Sequence, residues 1–188
     1  IKQALDTGVY GLVLPHLSTV EGAQAAVMAA RYPQVPGSAD FEPPGERGWW
    51  QRLAPRYWGL TAQEYYDAAD LWPLDPDGNM LLMGIVEDPE GVKNLPDILR
   101  AVKGIGAIWA GPGDMSVAMG FKGNSNHPDV QANLLKILAD CNAAGVPCAT
   151  GASASEVTMR LEQGFKIIHI APEKTTQGLA EGRRVAGR

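Results

Sequence analysis

Two carboxylates stand where apolar strands run out into loops: Glu87 ends Met80-Leu-Leu-Met-Gly-Ile-Val-Glu87, and Asp114 closes Ile105-Gly-Ala-Ile-Trp-Ala-Gly-Pro-Gly-Asp114. They lie about one strand-helix repeat apart, so if the strands are parallel neighbours both groups emerge on the same edge of the sheet. That edge is where α/β proteins place their chemistry. Two hard oxygen ligands there suit Mg²⁺ or Mn²⁺ and leave coordination positions open for a substrate. In Gly111-Pro-Gly-Asp-Met-Ser116 the glycines admit close backbone approach, and the amides around Gly113 and Asp114 could hydrogen-bond a carboxylate or enolate oxygen beside a metal. Taken alone, the same motif fits an ordinary turn with an Asp helix cap. Its pairing with Glu87 on the preceding strand favours chemistry.

The elements that must position these groups are short apolar strands alternating with helices, the pattern of a mostly parallel sheet. Strands are predicted at 9–16, 80–87, 106–111, 146–150 and 166–171, and helices at about 20–31 (capped by Ser18 or Thr19), 90–102, 127–144 and 154–163. The longest helix carries Val130, Leu134, Leu135, Ile137, Leu138 and Cys141 on one stripe at helical spacing. Residues 33–77 hold seven of the fourteen prolines and four of the five tryptophans, which predicts a long functional or partner-contacting loop around one short capped helix at 61–71. Five strand-helix units would complete a flavodoxin-like sheet. The opening Ile1-Lys-Gln-Ala-Leu-Asp-Thr-Gly8 argues otherwise, because it reads as the last turns of a helix, and a helix there calls for a strand before it. The expectation is a single α/β domain over 1–188 that enters a (β/α)8 TIM barrel, typically about 250 residues, part-way and represents strands four to eight.

A content of 45% hydrophobic and 20% charged residues in 188 gives ample material for one core. No apolar run approaches the roughly 20 residues that span a bilayer, and no signal-peptide pattern opens the chain. A cytoplasmic protein with no membrane partner is expected. The net charge is −5, with Lys and Arg scattered, so no nucleic-acid partner is expected either. Cys141 and Cys148 have neither zinc-site spacing nor the density of a secreted scaffold and are expected to be buried, reduced thiols.

Several segments occur in a telling order: Ile1-Lys-Gln-Ala-Leu-Asp-Thr-Gly8, Leu12-Val-Leu-Pro15, Arg31-Tyr-Pro33, Gly45-Glu-Arg-Gly48, Glu87 with Val92-Lys-Asn-Leu95, Gly111-Pro-Gly-Asp-Met-Ser116, Met119-Gly120 and His127-Pro128. Together they resemble the HpcH/HpaI aldolase family of class II, metal-dependent pyruvate aldolases. The resemblance implies a (β/α)8 barrel in a homo-oligomer, a trimer or hexamer. It implies cleavage of a 4-hydroxy-2-oxo acid to pyruvate and an aldehyde through a metal-bound pyruvate enolate, with Mg²⁺ or Mn²⁺, Co²⁺ being possible. Glu87 and Asp114 match the family's metal-binding carboxylates. Gly113 matches the position whose amide helps hold the pyruvate or oxaloacetate oxygen, Asp114 and Ser116 belong to the same substrate-binding segment, and Asp6 matches an acidic residue that supports the catalytic histidine. That histidine and the substrate-orienting arginine belong to strands upstream of the segment matching Ile1. A citrate-lyase-like acyl-thioester lyase, or a metal-binding remnant without activity, are the alternatives. The pattern departs from the family at Ile85, where many members carry Gln, in the stretched segment from Arg31 to Gly48, and at the final strand end, Ile168-His-Ile-Ala-Pro172-Glu.

His16, after Pro15 at a strand end, is either a substrate-facing group or a polar strand-end residue. Arg47 either presents its guanidinium to an acidic acceptor or pairs with a neighbouring subunit. Trp49, Trp50, Tyr57 and Trp58 favour subunit contact over sugar stacking. His127 is expected to be a cap or loop residue, and His169 points either into the barrel or toward the helices, with a hydrogen-bonded core histidine favoured.

Overall fold

The computed structural model describes residues 1–50, 52–170 and 175–188. Its elements in order are α1 (Lys2–Leu5), β1 (Gly11–Leu14), α2 (Val20–Ala30), α3 (Ala54–Trp58), α4 (Ala62–Ala68), β2 (Leu71–Trp72), β3 (Met80–Val86), α5 (Pro89–Ala101), β4 (Ala107–Ala110), α6 (Pro112–Ala118), α7 (Pro128–Ala144), β5 (Cys148–Ala152), α8 (Val157–Gln163), β6 (Ile167–Ile170) and α9 (Thr175–Val185). Every strand pair is parallel, and the order is β1-β3-β4-β5-β6, with β2 laid on the first two residues of β3. A flavodoxin-like sheet reverses its strand order at a switch point. This one advances in a single direction, as the wall of a (β/α)8 barrel does. The fold is thus a parallel half-barrel of that type.

Strand alternation sorts the side chains into two faces. Met80, Leu82, Val86, Ile108, Ala110 and Cys148 join the large core under the helices, where Leu95, Ile98, Leu134 and Ile137 meet them. The other face carries Met83, Ala107 and Ala149, with Leu81 and Trp109 against them, and is the concave face of the barrel wall. Ile85 and Glu87 share the parity of Leu81 and Met83 and so belong to that concave face.

The helix ends obey local chemistry. Thr19 Oγ1 accepts from Gly22 N at the start of α2, Asp88 accepts from Gly91 N ahead of α5, and Thr61 and Glu64 form a reciprocal capping box on α4. His127 is the N-cap of α7, its Nδ1 accepting from Asp129 N at 3.3 Å. Cys141 and Cys148 are free and buried. Their mutual hydrogen bond, together with burial, pushes the Cys141 thiol up and keeps it protonated.

The proline- and tryptophan-rich stretch is more ordered than a loop. It supplies α3, α4 and β2, and it covers two buried arginines at the N-terminal edge of β3. Arg31 has all five donor hydrogens engaged: Nε and Nη2 on Asp70 at 2.7 and 2.6 Å, Nη1 on the carbonyls of Asp40 and Pro43 at 2.8 Å each, and Nη2 on Asp40 Oδ2 at 2.9 Å. Trp58 turns inward, stacking on Tyr10 at 4.3 Å, whereas Trp49, Trp50 and Tyr57 stay exposed. The last strand, expected over 166–171, is observed at Ile167–Ile170; residue 171 lies outside the described residues.

Candidate active site

Glu87 leaves β3 directly after Val86 and is 5% exposed. The loop from Pro15 to Thr19 folds over it. Leu17 N donates to Ile85 O at 2.8 Å, and Leu17 lies over Gly84, where a Cβ would come within 2.3 Å of its Cδ2. Ser18 Oγ donates to Asp88 Oδ2 at 2.5 Å, and Asn94 Nδ2 to Ser18 O at 2.8 Å. With both flanks tied down, His16 adopts φ 53° and its backbone N–H donates to Glu87 Oε1 at 2.9 Å. Its Nδ1 stands 3.6 Å from the same oxygen. Leu17, Gly84, Asp88 and Asn94 are not singled out by the sequence, and Ser18 only as a candidate helix cap. Only Asn94, within Val92-Lys-Asn-Leu95, lay in a motif that signals it.

Across the next strand pair, Ile85 aligns with Trp109 and Val86 with Ala110, so Glu87 and Gly111 exit level with each other. Gly111 N donates to Val86 O at 3.0 Å. Gly111 also caps α6 without a side-chain bond, and Asp114 falls in that helix's first turn, exposed. Asp114 therefore is not a helix cap, and its carboxylate makes no hydrogen bond or ion pair among the described residues. The sequence expectation of a shared edge is met in position: both carboxylates leave the C-terminal end of adjacent parallel strands.

A Cβ on Gly111 would lie 2.9 Å from Ile85 Cγ2, 3.0 Å from Glu87 Cβ and 3.3 Å from Glu87 Oε2. Gly113 has no heavy atom within 4 Å of that position. Gly111→Ala is expected to cost about 1–3 kcal/mol by overpacking, and Gly113→Ala to stay within about 0.5 kcal/mol of wild type. Chemical denaturation of the two variants checks this.

The residues present fit a divalent cation. A buried carboxylate must be paired or bound to a metal, yet the ion-pair contact of Glu87 among the described residues is only the imidazole of His16. Oε2 faces Gly111 with no protein donor. A tighter acidic group, Asp40, Asp70 and Asp75, has carboxylate oxygens within 4.8 Å of one another. It is already compensated by Arg31, and it sits at the N-terminal edge of the sheet, where Met80 N donates to Asp70 O at 3.0 Å. His16, Glu87 and Asp114 form no group that tight; Glu87 stands out by its buried, uncompensated charge.

Three sequence expectations need correction. Ser116 is fully buried, its Oγ donating to Gly113 O at 2.6 Å within α6, so its hydroxyl is used inside the helix. Arg47 is not presented to an acceptor or to a neighbour: it is buried, its Nη2 donating to Asp6 Oδ1 at 2.9 Å and to Tyr65 Oη at 3.0 Å, with its guanidinium 4.5 Å from the Tyr32 ring centroid. Burial pulls its pKa down, but the bonds to Tyr65 and Asp6 outweigh that and hold it above the usual value. Asp6 is engaged by Arg47 and Lys2, and Arg47 Nη1 touches Met80 Sδ at 3.6 Å. That is the start of β3, about 20 Å of strand away from Glu87. Within one chain, Asp6 and Arg47 are not brought to the carboxylate pair. His169, expected in the core, lies on the concave face instead, its ring 5.1 Å from Trp109.

The sequence model described as HpcH/HpaI aldolase/citrate lyase matches residues 1–174. The chain belongs to that family. It is 34% identical over 190 residues to the hydroxypyruvate/pyruvate aldolase of Pseudomonas aeruginosa, covering 100% of this chain and 64% of that protein. It is 32% identical over 174 residues to the 5-keto-4-deoxy-D-glucarate aldolase of Salmonella arizonae, covering 92% and 61% respectively. The chain thus spans a little under two thirds of the length of these relatives. Among solved structures, an HpcH/HpaI aldolase/citrate lyase family protein from Burkholderia cenocepacia superposes with a TM-score of 0.76 at 27% identity, over 98% of this chain and 66% of that one. Macrophomate synthase does so with a TM-score of 0.66 at 27% identity, over 98% and 62%. In this HpcH/HpaI member, Ile85 lies on the concave face two residues before Glu87 and makes that part of the face apolar.

Proposed function

We propose that the protein is a metal-dependent carbon–carbon lyase that cleaves a 4-hydroxy-2-oxo acid to pyruvate and an aldehyde, or joins them in reverse. The observation that carries the reading is Glu87, a buried carboxylate with no arginine or lysine partner, level with Gly111, after which Asp114 follows with an unengaged carboxylate in the first turn of α6. A divalent cation held by these two carboxylates, Mg²⁺, Mn²⁺ or Co²⁺, supplies the charge that stabilises the enolate left when the C3–C4 bond breaks.

The chain's own groups do the rest of the positioning. The His16 amide fixes the Glu87 rotamer, and the small Gly111 leaves Oε2 accessible. Gly113, exposed and with open space where a Cβ would stand, gives the backbone room to approach the 2-oxo acid, so that binding costs little reorganisation. Proton transfer and substrate orientation fall to the histidine and arginine that the family resemblance assigns upstream. Exposed Trp49, Trp50, Leu53 and Tyr57 support a homo-oligomer, trimer or hexamer, since large aromatic residues anchor interfaces. Among the described residues no helix is long and apolar enough to cross a membrane.

The test is pyruvate release by the full-length protein from 4-hydroxy-2-oxo acids, followed with lactate dehydrogenase. Release that stops on chelation and returns with Mg²⁺ or Mn²⁺ supports the lyase. Turnover confined to coenzyme A thioesters would move the protein to the citrate-lyase-like chemistry, and chelator-insensitive release would remove the metal from the mechanism.

A further inference from the structure

We propose that His169 is a specificity-determining residue whose imidazole hydrogen-bonds a hydroxyl at the aldehyde-derived end of the substrate, which selects 2-hydroxyaldehydes over plain alkyl aldehydes. The inference rests on the reading of the site as a 4-hydroxy-2-oxo acid lyase and adds the class of aldehyde.

The strand register draws one row across the concave face. Gly151 aligns with His169, and continuing the β4–β5 and β3–β4 pairings by one residue sets Gly111 beside Gly151 and Glu87 beside Gly111. Glu87 and His169 therefore close the two ends of a row whose middle positions carry no side chain. A Cβ on Gly151 would meet no heavy atom within 4 Å, so the space above it is open. The aligned row two residues earlier, Ile85, Trp109, Ala149 and Ile167, supplies an apolar border to this trough.

Both end groups lean over the glycines. Glu87 Oε2 lies 3.3 Å from where a Gly111 Cβ would stand, one strand over from its own. The His169 ring lies 5.1 Å from the Trp109 ring, a contact between β6 and β4 that reaches across the small residues Ala149 and Gly151 of β5. Three strand spacings, about 14 Å in all, separate the backbones of β3 and β6 along the sheet, and the lean from both sides shortens that gap. A 2-oxo acid bound at Glu87 can lay its far carbons along the trough towards the imidazole.

His169 is exposed, and among the described residues it has no hydrogen bond or ion pair. The same face carries Val13, Leu81, Met83, Ile85, Ala107 and Ala149, so the imidazole stands out as a polar group on an apolar wall. A few polar groups in an otherwise apolar site fix a ligand's orientation. A neutral imidazole offers one donor and one acceptor nitrogen, and a hydroxyl can answer either. A site that hydrogen-bonds a substrate hydroxyl discriminates against the analogue that lacks it.

The experiment measures pyruvate release by the full-length protein with Mn²⁺ from 4,5-dihydroxy-2-oxopentanoate and 4-hydroxy-2-oxohexanoate, which differ only by a terminal hydroxyl against a methyl. Wild type is compared with His169→Phe, which keeps an aromatic ring against Trp109, and His169→Gln, which keeps a donor and an acceptor. Wild type should favour the dihydroxy acid by about tenfold in kcat/KM, the worth of one hydrogen bond. His169→Phe should erase that preference through KM while changing the hexanoate by less than about threefold, and His169→Gln should retain part of it. Equal losses on both substrates in His169→Phe, or no preference in wild type, would overturn the role of His169 and leave the lyase standing. Release from neither substrate by wild type would overturn the lyase reading, and the assignment of His169 with it.

Discussion

Glu87→Gln is expected to slow pyruvate release by about 10³-fold while leaving the cation-free protein as stable as wild type or more so. The amide keeps an oxygen that accepts the His16 N–H, now 2.9 Å from Oε1, and it has almost the volume of the acid. What disappears is a negative charge in a buried position, one no guanidinium or ammonium offsets. Removing an uncompensated buried charge relieves desolvation, and an activity loss with a stability gain marks a group retained for chemistry. The rate loss follows because a neutral amide is a poor ligand for a hard cation and leaves the developing enolate without its counter-charge; single electrostatic contributions of this kind amount to about 10²–10³ in rate. Thermal melts in chelator and single-turnover rates at a fixed Mn²⁺ concentration that saturates wild type measure the two effects separately.

Arg31→Met should do the reverse, unfolding the protein without touching the site. Arg31 is fully buried and its five donors are all used, so its removal strands Asp70, which is 8% exposed. Breaking a buried ion pair from one side costs about 3–5 kcal/mol, a large part of a typical domain's stability. The companion Arg31→Met/Asp70→Leu removes both charges and should recover much of that loss, because the penalty comes from the orphaned carboxylate more than from the missing contact. Urea denaturation of wild type, single and double variants gives the coupling. Equal destabilisation in the single and double variants would mean that Arg31 acts mainly through its carbonyl contacts.

The contrast between these two carboxylate groups shows what the sequence could and could not reveal. The apolar runs at Met80–Val86 and Ala107–Ala110 and the apolar stripe on α7 are local patterns, so the strands, the long helix and the position of Glu87 were legible. The single-direction strand order matches the expected wall of a (β/α)8-type barrel. Charge partners set by tertiary contact were not legible: Arg31 meets Asp70 across 39 residues, and Arg47 meets Asp6 across 41. Nothing in Gly45-Glu-Arg-Gly48 tells that its guanidinium turns inward between Tyr32 and Tyr65. Helix α6 was hidden because a Gly-Pro-Gly start reads as a turn, although Pro suits the first helical position. Helix α9 was missed for a similar reason. Its Gly178 is a poor helix former locally, but a Cβ there would fall 2.1 Å from Ile170 Cδ1, so close packing on β6 calls for glycine.

The metal site can be read directly by titrating the full-length protein with Mn²⁺ and following the free ion by EPR, in wild type, Glu87→Gln, Asp114→Asn and Asp75→Asn. One Mn²⁺ per chain should bind in wild type and in Asp75→Asn, and binding should be lost in Glu87→Gln and Asp114→Asn. Undiminished Mn²⁺ binding in Glu87→Gln, or loss of binding only in Asp75→Asn, would place the cation elsewhere and contradict the assignment of Glu87 and Asp114.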